Sequence, residues 1–347
     1  MRVTFHSPWV VASTMAQRLL ASTNGHATVC ECAVAAERPR ARFGSSPWRS
    51  GPGARSSHAI TVVGSRAYAF GGEFTPASPW TTRSIGHRRH PPPRVGVTRA
   101  TVGKTIYVFG GRDAEHKELN ELYSFDTTTD NWTLLSSGEL GPPSRSYHSR
   151  AAGGHHVYIF GGCGVAGRLN DLWAYDVLDG KWVKFPEPGK SCRPRGGTEL
   201  AVAGEKIWIV YGFAGEEVDD VHCFDPASGE WTEVETTRDK PCPRSVFSIA
   251  SIGLRVIICG GEVDPSDLGH LGAGSFAGDS YVLDTATKAW KKLAEVAEPG
   301  EHPGPRGWCA FSVGRRDGEE GLLVYGGNSP TNDRLDDIFF FTPSFGR

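Results

Sequence analysis

The sequence lacks three features that would each assign it to a broad class of protein. No apolar run approaches the roughly 18 residues that a membrane-spanning helix requires, so we expect no membrane segment. Its 37 basic and 39 acidic residues leave a formal net charge of −2, which argues against a general nucleic-acid binder. Its eight cysteines are scattered, with Cys223 and Cys259 in or beside apolar strands, which predicts reduced thiols rather than a disulfide framework. We therefore expect a cytoplasmic protein, with the nucleus as the alternative.

Acidic residues are also missing from the start of the chain, where none precedes Glu31. Residues 1–44 are rich in Ser, Thr, Ala and Arg, a composition compatible with an organelle transit peptide or with an unselected start. We expect this segment to be a disordered extension without a working transit peptide. The folded domain is expected to occupy residues 45–347.

Glycine, by contrast, is abundant, and a diglycine follows a short apolar run again and again along the chain. A repeat of near fifty residues indicates stacked copies of one structural unit. One further copy keeps a single glycine at Gly212. The complete diglycines are Gly71–Gly72, Gly110–Gly111, Gly161–Gly162, Gly260–Gly261 and Gly326–Gly327.

Each copy carries the same succession of residues around the diglycine. An arginine opens the copy, the apolar strand and the glycines follow, and a second strand ends in Asp before a tryptophan begins the next. These short runs of β-branched and aromatic residues, bounded by turn residues, predict four strands in each copy. The arginines are Arg55, Arg94, Arg145, Arg195, Arg244 and Arg306. The tryptophans are Trp132, Trp182, Trp231 and Trp290.

One four-stranded sheet cannot bury both of its faces, whereas sheets arranged radially can. The pattern resembles the kelch repeat over residues 45–343, which implies an all-β fold, a six-bladed β-propeller with the tryptophans packed between sheets. The first copy is about eleven residues short and lacks its Asp and Trp strand, so the first blade is expected to be incomplete. Because the last copy stops before a tryptophan strand, we expect the segment around Trp48 to complete the sixth blade.

The repeated arginines are the first candidate for a binding site. Equivalent positions in radially arranged blades lie at one height around the axis, so up to six guanidinium groups could converge at one mouth of the channel. Guanidinium pairs bidentately with sulfate, phosphate or carboxylate. The alternative is that each arginine pairs with an acid of a neighbouring blade.

The long fifth copy is the second candidate. Gly261 and Trp290 are 29 residues apart, where the other complete copies need about 20. Loops on a rigid scaffold often carry binding groups, and carboxylates with a histidine suit Fe(II), Mn(II) or Zn(II). The alternative is a solvated acidic loop. The surplus segment supplies Glu262, Asp264, Asp267, His270 and Asp279.

A kelch propeller with such a segment after a diglycine resembles the plant specifier proteins: the nitrile-specifier, epithiospecifier and thiocyanate-forming proteins. The runs GPGARSSHAITVVG, YVFGGRDAEHKELNELYSFDT and GGEVDPSDLGHLGAGSFAGD carry the resemblance. The resemblance is strongest to the nitrile-specifier proteins. It implies diversion of the sulfated aglucone that myrosinase releases from a glucosinolate to a nitrile instead of an isothiocyanate. It also implies Fe(II), a functional partnership with myrosinase, and a monomer or dimer.

The resemblance also implies roles for individual residues. The family motif Glu-x-x-x-Asp-x-x-x-His places Glu262 and His270 as iron ligands. Its middle position falls on Ser266, so Asp267, one residue later, is the substitute ligand. Arg94 and Arg145 match positions that hold the sulfate, and Trp308 matches an aromatic that lines the same pocket, with blade packing as its alternative role.

Two other functions fit the same residues. A kelch propeller can be a protein-interaction module, whose arginines would grip an acidic peptide. A relative that acts on another substrate would also be compatible with serine in the middle of the ligand motif.

Overall fold

Strands are the only regular elements of the residues that the computed structural model describes. These residues are 53–75, 90–267, 272, 274–293, 302–316 and 318–343, with the backbone of strands Thr28–Glu31, Phe43–Ser45 and Ser78–Pro79. The strands form six sheets of four or five strands and one two-stranded hairpin. The six sheets are the blades of the predicted kelch β-propeller.

The blades follow one another along the chain, and each is built around its diglycine strand. Their strands pair antiparallel except for Thr237–Arg238, which pairs parallel with Ala289–Trp290 in blade 5. Blades 1 and 2 contain Thr28–Glu31, Ser56–Val63, Arg66–Thr75 and Ser78–Pro79, then Thr98–Val102, Thr105–Phe109, Leu122–Asp126 and Asn131–Ser136. Blades 3 and 4 contain Arg145–Ser146, Ser149–Gly153, His156–Gly164, Gly167–Asp176 and Lys181–Lys184, then Glu199–Ala203, Lys206–Phe213, Glu217–Asp225 and Glu230–Glu233. Blade 5 contains Thr237–Arg238, Ser248–Ile252, Arg255–Cys259, Ser280–Asp284 and Ala289–Lys292, and the hairpin Glu262–Asp264 with Ser275–Phe276 follows its diglycine. Blade 6 contains Phe43–Ser45, Ala310–Arg316, Glu319–Asn328 and Arg334–Phe341.

A closed ring of six backbone hydrogen bonds joins the blades around the axis. In each blade, the residue two positions after the arginine donates its N–H to the same residue of the preceding blade. The bond from Ser57 to the carbonyl of Trp308, at 3.0 Å, closes the ring. All six residues have φ between 47° and 59°, a left-handed conformation that turns both backbone groups along the circle. The members of this inner ring are Ser57, Gly96, Tyr147, Gly197, Val246 and Trp308.

A second closed set of bonds explains the diglycines. The second glycine of each blade donates its N–H to the carbonyl of the arginine that opens the next blade, as Gly111 does to Arg145 at 2.9 Å. The bond from Gly327 to Arg55 closes this circle as well. The first glycine lies against the same carbonyl: a Cβ on Gly110 would be 2.7 Å from the Arg145 oxygen. The repeat therefore needs glycine because neighbouring backbones approach each other there.

The tryptophans pack between blades, as predicted. The ring of each outer-strand tryptophan lies 5.3–6.0 Å from the aromatic residue that ends the apolar run of the preceding blade. Trp290 is completely buried in this way against Tyr211. The other pairs are Trp132 with Phe70, Trp182 with Phe109, and Trp231 with Phe160.

The start of the chain supplies strands to the two incomplete blades. Phe43–Ser45 pairs with Phe339–Phe341 as the outer strand of blade 6, directly before Trp48, which lies outside the described residues. Thr28–Glu31 pairs with the diglycine strand of blade 1 at Arg66–Ala69, in place of the missing third strand. The stretch that we expected to be disordered therefore contains strand Thr28–Glu31 and most of strand Phe43–Ser45, and the extent of the folded domain stays a prediction. Both incomplete sheets present unpaired backbone groups, which an added strand satisfies.

Candidate functional site

The residue that follows each diglycine reaches the same mouth of the central channel. It forms a backbone bridge with the residue just after the blade's arginine, for example Glu262 with Ser245. The blades therefore bring six different side chains to one height, although the repeat around them is nearly constant. This set, the mouth ring, consists of Glu73, Arg112, Cys163, Phe213, Glu262 and Asn328.

A cavity of about 290 Å³ opens at this mouth. Five mouth-ring residues line it, every one except Arg112, and inner-ring residues form its floor. Tyr147 and Trp308, both of the inner ring, meet edge to face with ring centroids 5.4 Å apart. Trp308 therefore lines the cavity as part of its floor, and its role in binding a substrate stays a prediction.

One side of the cavity is basic. The guanidinium of Arg168 lies over the ring of Phe213 at 4.6 Å, and that of Arg112 lies over Tyr147 at 5.7 Å. Burial raises the pKa of the Cys163 thiol between them, and the charges of both arginines oppose that rise. Within the described part of the chain, Arg168 has no acidic partner, and the buried Nε of Arg112 has no hydrogen-bond acceptor. Arg168, which lines the cavity, is therefore available to an anion there, whereas Arg112 lies behind the lining.

Arg334 differs from this pair. Its guanidinium lies 3.0 Å from a carboxylate oxygen of Glu73 and also donates to the side chain of Asn328. Both charges are nearly buried. Arg334 therefore forms a neutralised part of the wall.

The side that blades 4 and 5 contribute is acidic. Burial and the nearby charge of Asp264 raise the pKa of Glu262 to about 7. Burial, followed by the charges of Glu262 and Asp264, raises the pKa of Glu217 to about 8, although its carboxylate accepts a bond from the Ser245 hydroxyl. Carboxylates that repel one another in a partly buried wall favour a proton or a cation as counter-charge. Glu262 therefore fits the predicted role of metal ligand.

The other two predicted metal ligands, Asp267 and His270, are not placed at the cavity by the described residues. Ser266 lines the cavity, whereas Asp267 is exposed and is not among the lining residues. The geometry therefore does not support Asp267 as the middle metal ligand. Asp267 lies one residue after Ser266 in the loop, and its side chain faces the solvent instead of the cavity. His270 lies outside the described residues.

Among the described residues, one group of three donors has all its ligand atoms within 4.8 Å of one another, and it contains none of the predicted ligands. It consists of His155, His156 and Asp176. His156 begins the blade 3 strand that ends past the diglycine, so this group lies at the opposite end of the blade from the mouth.

Arg94 and Arg145 do not reach the cavity. Both are completely buried, and each is bound within its own blade. Arg145 donates to Asp171 at 2.8 Å through both terminal nitrogens, and to the carbonyls of Pro143 and Gly161. Arg94 donates to Glu121 at 3.2 Å and to the carbonyl of Gly110 through Nη1 alone, and its buried Nη2 has no acceptor among the described residues.

The repeated arginines thus stabilise each blade instead of converging on the axis. The acid partner belongs to the same blade, not to a neighbouring one as the alternative prediction had it. The remaining pairs of this kind are Arg195 with Asp220, Arg244 with Asp279, and Arg306 with Asp337. The geometry does not support direct sulfate contacts by Arg94 or Arg145.

Sequence reasoning missed Arg112, Arg168 and Glu217 at this mouth. A signal for the mouth ring was nevertheless present. In a repeat with constant glycines, the one adjacent position that varies in charge and size is the position after the diglycine. The residues common to all the blades stabilise the fold, whereas the residue after the diglycine differs between blades and determines the polar and apolar groups at the mouth.

Comparisons with known proteins agree with this architecture. The KLHDC2/KLHL20/DRC7 Kelch-repeats domain model matches residues 74–261. A Thlaspi arvense protein named N-(sulfonatooxy)prop-2-enimidothioate sulfolyase is 36% identical over 328 residues, which cover 84% of this chain and 93% of that protein. The chain belongs to the plant kelch specifier proteins. A specifier-like role follows from this membership.

More distant matches to this specifier protein share the propeller. Acyl-CoA-binding domain-containing protein 4 of Arabidopsis thaliana is 26% identical over 309 residues, covering 82% of this chain and 45% of that protein. The solved structure of YjhT superimposes with a TM-score of 0.66 at 16% identity, covering 86% of this chain and 98% of the other, and supports the fold alone. In the described residues, no helix is long and apolar enough to cross a membrane.

Proposed function

We propose that this specifier protein is a lyase that expels sulfate from a thiohydroximate O-sulfate in the mouth cavity and directs the remainder to a nitrile. The observation that carries the proposal is that the exposed guanidinium of Arg168 and the half-buried carboxyl of Glu262 line the same small cavity. The substrate class has an anionic sulfate at one end and a thiolate at the other. The name of the Thlaspi relative supports this class, because it describes a sulfolyase that acts on an N-sulfonatooxy imidothioate.

In this proposal the sulfate lies against Arg168, which lines the cavity. Arg168 is already held over Phe213, so its planar group is oriented before the substrate arrives. Preorganised positive charge stabilises the negative charge that accumulates on a departing sulfate. The substrate's apolar side chain packs against Trp308 and Tyr147.

The reaction needs no external oxidant. The pair of electrons in the nitrogen–oxygen bond leaves with the sulfate. The pair in the carbon–sulfur bond becomes the third bond between carbon and nitrogen, and the sulfur leaves as a neutral atom. Arg168 assists the first of these changes, since the negative charge on the sulfate rises as the bond breaks.

Fe(II) remains part of the proposal, with Glu262 as its buried carboxylate ligand and His270 as the second. When bound, the ion supplies an acceptor for the sulfur of the substrate. Glu217, whose pKa is raised in part by the charge of Glu262, is a further carboxylate that could take the place of the aspartate in the family motif. Cytoplasmic location, partnership with myrosinase and a monomeric or dimeric state stay proposals as well.

Product analysis tests the proposal. Myrosinase and a glucosinolate are incubated with the wild-type protein, with and without Fe(II), and nitrile and isothiocyanate are measured. We expect nitrile with the wild type and Fe(II), and a loss of at least tenfold in Arg168→Gln and in Glu262→Gln. Isothiocyanate alone, under every condition with folded wild-type protein, would overturn the proposed reaction.

A binding measurement separates the metal from the turnover. Anaerobic Fe(II) titration should give about one ion per chain in the wild type and a weaker complex in Glu262→Gln. Asp267→Asn is the matched control, because its exposed side chain should leave the affinity unchanged. If Asp267→Asn weakened Fe(II) binding as much as Glu262→Gln does, Asp267 would be an iron ligand, as predicted from the sequence.

A further inference from the structure

A second cavity lies on the propeller axis, beyond the inner ring and away from the mouth. It has a volume of about 260 Å³ and is lined by the strand of each blade that follows the inner-ring residue. In blade 1 its lining begins at Ile60, three residues past the inner-ring residue Ser57. A strand advances about 3.3 Å per residue, so roughly 10 Å separates this cavity from the inner ring.

Two arginines face this cavity, Arg99 from blade 2 and Arg150 from blade 3. Arg99 is only 4% exposed, and its Nε and Nη2 are buried without a hydrogen-bond acceptor among the described residues. Burial lowers the pKa of Arg99, and the charge of Arg150 lowers it further. A buried guanidinium with open donors and a like charge beside it is costly for a folded protein.

The neighbouring groups do not neutralise the pair. Glu199 lies 3.7 Å from a nitrogen of Arg150, beyond hydrogen-bond distance, and burial raises the pKa of its carboxyl to about 8. His58 and His148 lie between this cavity and the inner ring, and burial lowers the pKa of both, which keeps them uncharged. The carboxyl of Glu199 therefore stands against the two guanidinium groups of Arg99 and Arg150, so the lining of the axial cavity carries a net positive charge.

The geometry points to a binding site for a small oxyanion between Arg99 and Arg150. The planar forks of two guanidinium groups match the oxygens of a tetrahedral anion such as sulfate or phosphate. The hydroxyls of Thr61 and Thr101 line the same space and are bonded to each other at 2.8 Å, so the one that accepts this bond keeps its own proton for an oxygen of the anion. This site is separate from the mouth cavity and does not depend on the proposed reaction.

Radiolabelled sulfate in equilibrium dialysis tests the inference with the full chain. Arg168→Gln first removes the mouth arginine, so that the remaining binding reports on the axial cavity. We expect about one sulfate per chain in Arg168→Gln, and at least a tenfold weaker affinity when Arg99→Gln is added. The same dialysis in chloride at matched ionic strength should leave the sulfate bound, whereas complete displacement by chloride would show only general charge screening.

Two results would overturn the site: no sulfate bound by Arg168→Gln, or equal binding with and without Arg99→Gln. If Arg99→Gln does not fold, Arg99→Lys replaces it. Lysine keeps the charge but cannot form two parallel bonds, and we expect at least a fivefold loss of affinity. An unchanged affinity in Arg99→Lys would also count against the site.

Discussion

Replacing Arg145 separates its structural role from a catalytic one. Arg145→Met removes the four hydrogen bonds that the buried guanidinium donates within blade 3 and leaves the carboxylate of Asp171 without its partner. Loss of one member of a buried ion pair costs about 3–5 kcal/mol. Because both terminal nitrogens hold Asp171 at 2.8 Å and Arg145 is 0% exposed, we expect the upper half of that range.

A double-mutant cycle measures the pair itself. Asp171→Asn keeps an acceptor for the indole N–H of Trp173, which lies 2.7 Å from the carboxylate. Arg145→Met with Asp171→Asn should therefore lose at least about 1 kcal/mol less than the sum of the two single changes. Urea unfolding supplies the free energies, and equal m values confirm that the unfolded states are comparable.

Arg168→Met, in the same blade, is the matched control. Its exposed side chain has no ion pair among the described residues, so the free energy of unfolding should change by less than about 0.5 kcal/mol. If Arg145→Met unfolds like the wild type and yet abolishes nitrile formation, the structural role is refuted. Direct sulfate binding by Arg145, as the sequence suggested, would then be correct.

Three other predictions concern the scaffold. Gly110→Ala should destabilise the protein by at least about 2 kcal/mol in urea unfolding, because a Cβ would lie 2.7 Å from the Arg145 carbonyl at a φ of 62°; wild-type stability would contradict the close approach of the blades. Trp290→Ala should cost about 3–5 kcal/mol, since the side chain is 0% exposed, and a change below 1 kcal/mol would mean that Trp290 does not join the blades. Burial raises the pKa of Glu199 to about 8, so the folded state holds its proton above the usual value of 4.5. The contribution of this proton to the free energy of unfolding is complete below pH 4.5. It falls by about 1.4 kcal/mol per pH unit as the pH rises from 4.5 to 8. Glu199→Gln should remove that slope, and an unchanged pH profile would refute it.

Much of the fold could be predicted from the sequence, because the repeat is itself a set of local constraints. Diglycine, arginine and tryptophan recur in the same order along the chain. The arginine bonds within its blade, and the diglycine and the tryptophan contact a neighbouring blade. The strands at Thr28–Glu31 and Phe43–Ser45 could not be predicted in this way. Their local sequence carries no repeat signal, and the open edges of blades 1 and 6 determine where they pair.

The site was harder to predict for a related reason. The resemblance to the specifier proteins predicted a sulfate site at Arg94 and Arg145, but these two residues belong to the arginines repeated in every blade, which form the same internal contacts in each. The varied residues after the diglycines, such as Arg112 and Glu262, matter at the mouth, and only closure of the ring places them opposite one another. Arg168 lies on a neighbouring strand, and its position over Phe213 depends on packing between blades 3 and 4.

The most direct test of the mouth cavity is the rate of sulfate release from the aglucone in Arg168→Lys, measured against the wild type at saturating Fe(II). Lysine retains the charge but loses the planar group that lies over Phe213. We predict a fall of at least tenfold in kcat/KM with an unchanged Tm. A wild-type rate in the folded variant would contradict the assignment of the substrate's sulfate to this cavity.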